Sequence, residues 1–143
     1  MAGPLVVPDA SVLIKWALRS ADEEPRESSL ALKDAWLRDE VEIVVPTLWI
    51  FEVGNVLGLK QPTQADPLLR AMTDLLLPEE SPRTYVTGIF TLMTRHRVTF
   101  YDAAYHALAI ARSATMLTAD MKYVAKCGRA GSVQLIDRWQ LSR

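Results

Sequence analysis

Cysteine is nearly missing from this chain: 143 residues contain one, Cys127. A single thiol cannot close an internal disulfide. With no Cys or His neighbour at zinc-ligand spacing, it also excludes a structural zinc site. Excess charge of one sign is missing too. Lys and Arg total 16 and Asp and Glu total 17, for a net charge of −1. No global basic field marks a nucleic-acid binder, so a polyanion would have to be held locally, by a metal or a small basic patch. No glycine-rich phosphate loop and no G-x-S-x-G nucleophile elbow occurs. The first apolar run has no basic region ahead of it and is interrupted by Asp9 and Lys15. Neither a signal peptide nor a transmembrane helix is therefore expected, and the protein reads as cytoplasmic with no membrane partner.

What is present is ordinary for a globular domain: half of the residues are hydrophobic and 23% are charged. The length suits one domain over residues 1–143 with a sizeable core. Short β-rich apolar runs alternate with helical periodicity. "LVV" (Leu5 to Val7), "IVV" (Ile43 to Val45), "TMLT" (Thr115 to Thr118) and "VQLI" (Val133 to Ile136) read as buried strands, with a weak one near "RVTF". Helices are expected over Ala10 to Arg19, Pro25 to Glu40, Thr47 to Leu59, Tyr101 to Ser113 and Asp120 to Lys126. The segments "ADPLLRAMTDLLL" and "RTYVTGIFTLMTRHR" read as two more, packing as a hairpin or lid. Such alternation implies an α/β fold: a parallel sheet with helices on both faces. Pro8 lacks the ladder N–H, so the first strand is expected to end by Val7.

Ligands in an open parallel sheet bind at the carboxyl ends of the strands. Asp9 follows the first strand and Asp120 follows "TMLT", so both are expected in one crevice. Asp102 opens the helix "FYDAAYHALA". Glu52, in "PTLWIFEVGNVLG", shares an apolar stripe with Leu48 and Val56 and therefore needs a partner. Taken singly, each Asp reads as a helix cap, and Glu52 reads equally as a salt-bridge partner of an Arg or as a ligand. Taken together, carboxylates in one crevice repel and raise one another's pKa unless a cation is present. An all-oxygen donor set without a His or Cys cluster favours Mg2+ or Mn2+ over zinc or copper.

The order Asp9 with Ser11 ("DAS"), Glu52 in a helix after a proline, Asp102 in "YDAAYHALA" and Asp120 in "LTAD" resembles the PIN-domain ribonucleases, specifically VapC-like toxins of toxin–antitoxin pairs. The resemblance covers nearly the whole chain, and "YDAAYHALA" followed by "LTAD" is its most specific part. It implies a three-layer α/β/α sandwich with a short, mainly parallel sheet. It also implies Mg2+- or Mn2+-dependent cleavage of RNA phosphodiesters, and a small antitoxin whose tail lies across the active site. By this likeness Asp9, Glu52 and Asp102 are the principal acids and metal ligands, and Asp120 is the fourth. Ser11 and Thr118 supply hydroxyls that bind a water or orient a carboxylate.

Arg95, Arg97 and Lys122 are candidates to meet phosphates, against the competing reading of a solvated basic loop. His106 reads as packed and hydrogen-bonded rather than as a base. Gly54 and Gly58 permit close helix contact, either within the chain or at a homodimer face. Two other functions stand beside the toxin reading: a catalytically silent PIN-fold binding module, against which the intact set of acids argues, and a different Mg2+-dependent enzyme such as a DNA nuclease. A phosphatase would want a D-x-D pairing, which Ala10 and Ser11 after Asp9 do not supply.

Overall fold

The structure, a computed structural model, describes residues 3–18 and 26–141. The expected helix ends at Arg19 and Pro25 lie outside the described residues. The elements are β1 (Leu5–Pro8), α1 (Ala10–Ala17), α2 (Arg26–Leu37), β2 (Glu42–Ile43), β3 (Val45–Pro46), α3 (Trp49–Lys60), α4 (Ala65–Thr73), β4 (Glu79–Glu80), α5 (Val86–His96), α6 (Phe100–Ala111), β5 (Thr115–Thr118), α7 (Met121–Cys127) and β6 (Val133–Leu135).

Four strands form a parallel sheet in the order β2-β1-β5-β6. Val6 pairs with Ile43 on one side of β1, Val7 with Met116 on the other, and Leu117 with Gln134. Successive strand residues face opposite sides of a sheet. Val6 and Val7 are both buried, as are Met116 and Leu117, so both faces of the sheet are covered. One cover is α6 backed by α5, and α1 backed by α2 also packs against the central strands. The result is the expected α/β/α sandwich with a parallel sheet. Along α6 every residue from Ala103 to Ala109 is buried, as befits a helix enclosed on all sides. Its alanines allow close approach: a Cβ at Gly88 of α5 would lie 3.4 Å from the Ala107 Cβ.

Several local expectations change. β1 runs on to Pro8, which pairs with Leu117. The Val7 and Asp9 amides face β5, with Asp9 N–H donating to Leu117 O at 3.0 Å, and Val6 O accepts from Val44 on the β2 side. Alternation turns the missing proline N–H toward β2, which has already ended at Ile43. "RVTF" is not a strand: Arg97 is left-handed (φ 54°, ψ 50°) and Thr99 caps α6 through its hydroxyl. The two helices between Lys60 and Val98 do not pack chiefly against each other as a hairpin. Instead, α4 packs on α3 and α5 packs on α6. A Cβ at Gly54 would lie 3.2 Å from Leu69 Cδ2, so that glycine serves the α3–α4 contact within the chain. A second, two-stranded parallel sheet joins β3 to β4, where two consecutive glutamates carried no strand signal. Trp49 Nε1–H donates to Glu79 Oε2 there at 2.5 Å. Among the described residues no helix is long and apolar enough to cross a membrane.

Candidate acidic active site

Asp9 ends β1 and caps α1. Its Oδ1 accepts from Val12 N at 3.2 Å and from the Ser11 hydroxyl at 2.5 Å, while Oδ2 accepts from the Thr118 hydroxyl at 2.6 Å. The two flanking motifs interlock across the sheet. Ala119 N donates to Ser11 Oγ at 2.9 Å, and Asp120 N donates to Thr118 Oγ1 at 3.0 Å. Of the about four acceptor sites on the Asp9 carboxylate, three are filled, which leaves one on Oδ2. The residue is 8% exposed. Burial pushes its pKa up from 3.8 to about 6, the three hydrogen bonds pull against that rise, and the charge of Asp102 adds to it.

Asp120 lies two residues past β5 and caps α7, but its environment differs. Its Oδ1 accepts from the backbone N–H groups of Lys122 (2.9 Å) and Tyr123 (3.1 Å), and the residue is exposed. Asp102 lies in the first turn of α6, where its amide donates to Thr99 Oγ1 at 3.1 Å. Its carboxyl is raised first by burial and then by the charge of Asp120. Glu52 lies in the first turn of α3, half-buried, and its Oε1 accepts from the Tyr105 hydroxyl at 2.7 Å. It too is raised by burial, against the Tyr105 bond, with Asp102 adding to the rise. Among the described residues, the partner of Glu52 is therefore a phenol, not an arginine. The sequence alone did not single out Tyr105. The available signal was its position three residues after Asp102 on the same helix.

The structure thus joins Asp9, Ser11 and Thr118 by direct hydrogen bonds and couples Asp102 electrostatically to Asp9, Glu52 and Asp120. Among the described residues, no ion pair links any of the four acids to Lys or Arg. Also among the described residues, no three His, Cys, Asp or Glu side chains stand close enough to hold one ion as they are. What fits a hard divalent cation is the donor set: oxygen only, negatively charged, and not neutralised by any described basic side chain. Lys122 is exposed beside Asp120, Arg95 is exposed on α5, and Arg97 is exposed at its end. His106 is packed, with Nδ1 bonded to Tyr123 OH at 2.8 Å and Nε2 to Gly131 O at 2.6 Å. Large exposed apolar side chains flank three of the acids: Phe51 (78% exposed) beside Glu52, Tyr101 (59%) beside Asp102 and Met121 (71%) beside Asp120.

Residues 6–128 match the sequence model of the PIN domain family. No curated protein matches the chain. Among solved structures, a toxin–antitoxin complex from Klebsiella pneumoniae superposes with TM-score 0.65 at 15% identity, covering 92% of this chain and 97% of that one. VapC20 of Mycobacterium tuberculosis, a sarcin-ricin-loop-cleaving toxin, gives 0.65 at 14% identity over 90% and 96%. FitAcB from Neisseria gonorrhoeae gives 0.68 at 14% identity over 94% and 99%. At these identities the likeness establishes a shared fold.

Proposed function

The chain belongs to the PIN domain family, and from that premise we propose that it is a divalent-cation-dependent endoribonuclease, the toxin of a toxin–antitoxin pair. The observation that carries this reading is the set of four acids coupled through Asp102 at the carboxyl end of a parallel sheet, with no described basic side chain paired to any of them. Mg2+, with Mn2+ as substitute, would be held by Asp9, Glu52, Asp102 and Asp120. When bound, such an ion supplies water activation near neutral pH and neutralises charge on the phosphodiester.

The chain's own residues prepare the site. Ser11 and Thr118 hold the Asp9 carboxylate in one orientation and leave a single acceptor site open on it. Asp102, whose charge couples to those of the other three, contributes a carboxylate whose repulsion with Asp120 a cation would relieve. Arg95, Arg97 and Lys122 meet the phosphates of the RNA. The apolar side chains beside Glu52, Asp102 and Asp120 offer a surface to a small antitoxin, in keeping with the Klebsiella neighbour being a toxin–antitoxin complex. On this reading the chain is one domain acting in the cytoplasm, with a homodimer as a further assembly.

Purified protein is expected to cleave RNA with added Mg2+ or Mn2+, to lose the activity in EDTA, and to lose it in Asp102→Asn. Expression without a partner is expected to arrest growth, and Asp102→Asn to relieve the arrest at equal protein level. Full activity after exhaustive chelation would overturn the reading. Cleavage of DNA in place of RNA would make the chain a DNA nuclease, and RNA binding without cleavage would make it a silent binding module.

A further inference from the structure

Glu52, unlike Asp9 and Asp120, neither follows a strand nor caps a helix. It reaches Tyr105 from the first turn of α3, whose preceding residue, Leu48, makes no side-chain capping bond. A glutamate has three side-chain torsions, so a free one would sample several positions. The Tyr105 hydroxyl removes that freedom by donating to Oε1 at 2.7 Å. Tyr105 is itself 1% exposed, and it lies in the stretch of α6 that is buried at every position from Ala103 to Ala109. It also shares that helix with Asp102, three residues earlier, on neighbouring positions of one face. One rigid element therefore presents Asp102 and the group that holds Glu52.

We propose that Tyr105 is a positioning residue of the cation site: its phenol fixes the Glu52 carboxylate relative to Asp102 and leaves Oε2 as the oxygen free to bind. The inference rests on the nuclease reading above. It assigns Tyr105 a role that packing alone would not require, because phenylalanine would fill the same space.

The test is Mn2+ affinity, read from the electron paramagnetic resonance signal of free Mn2+, on folded wild type, Tyr105→Phe, Glu52→Gln and the double variant. Loss of a group that orients a ligand weakens metal binding about 10-fold or more, and Tyr105→Phe is expected to show that loss. Glu52→Gln is expected to weaken binding as well, with no further loss on adding Tyr105→Phe. Wild-type affinity in Tyr105→Phe, or additive losses in the double variant, would overturn the proposal. If Tyr105→Phe fails to fold, the double variant decides. Recovery of folding once the Glu52 charge is gone supports action through Glu52, and continued failure makes Tyr105 a packing residue. Asp102→Asn separates the two levels. If it leaves Mn2+ binding unchanged, the nuclease site itself fails; if it weakens binding while Tyr105→Phe does not, only this inference does.

Discussion

Asp9 and Asp120 each follow a parallel strand and cap the helix after it, one at the β1–α1 junction and one at β5–α7. The local wiring matches: both carboxylates accept from backbone N–H groups in the first turn of their helix. Their surroundings do not match. Asp9 sits on a central strand under Ser11 and Thr118, nearly out of water, with its pKa raised to about 6. Asp120 remains exposed and, among the described residues, takes only backbone donors. The same capping chemistry thus yields an acid under electrostatic stress at one junction and a conventional cap at the other. The difference lies in what is packed above the carboxylate.

The largest expected effect is on activity. Asp9→Asn preserves size and capping ability but removes the enclosed charge, and it is expected to lower RNA cleavage about 100-fold, against about 10-fold for Asp120→Asn. Initial rates at saturating Mg2+ measure both. Equal losses would erase the distinction between the two junctions.

The next effect is on stability without metal. The Asp9 carboxyl has a folded pKa of about 6 against an ordinary 3.8. The folded state therefore binds the extra proton between these values, and the associated stability is fully present below about pH 4 and lost as pH rises through 6. The difference amounts to roughly 3 kcal/mol. Glu52 and Asp102, also raised, act in the same direction. The difference between wild type and Asp9→Asn isolates Asp9. Urea melts at pH 4 and pH 7 are expected to lose that increment in Asp9→Asn and to keep it in Asp120→Asn. A wild-type curve parallel to that of Asp9→Asn would return Asp9 to the ordinary carboxylate range.

The smallest effect concerns the cap itself. Asp120→Ala is expected to cost about 1 kcal/mol in thermal or chemical melts, and Asp120→Asn only a few tenths. If the two substitutions cost the same, the charge at the helix start, rather than the hydrogen bonds to Lys122 and Tyr123, would be what matters there.

The two junctions also mark how far the sequence could be read. A β-branched run followed by Asp and a helical period announces strand, turn and cap together, and the strands at Leu5 and Thr115 and the acids after them follow from that pattern alone. Residues 60–98 were less legible. Both helical segments were visible there, but nothing local told α4 to pack on α3 and α5 on α6. The pairing of Val45–Pro46 with Glu79–Glu80 runs against strand composition and depends on the tertiary setting of the two segments. "RVTF" had strand-like residues, yet Thr99 serves α6 better as a cap.

By itself, the sequence determined where strands end, where helices begin and which residue types stand at those ends, because capping and periodicity act over a few residues. Only the tertiary structure decided which carboxylate is stripped of water. Thr118 stands 109 positions from the Asp9 it binds, and Tyr105 stands 53 from Glu52. Desolvation and the repulsion among Asp9, Glu52, Asp102 and Asp120 depend on distances through space that no local pattern contains.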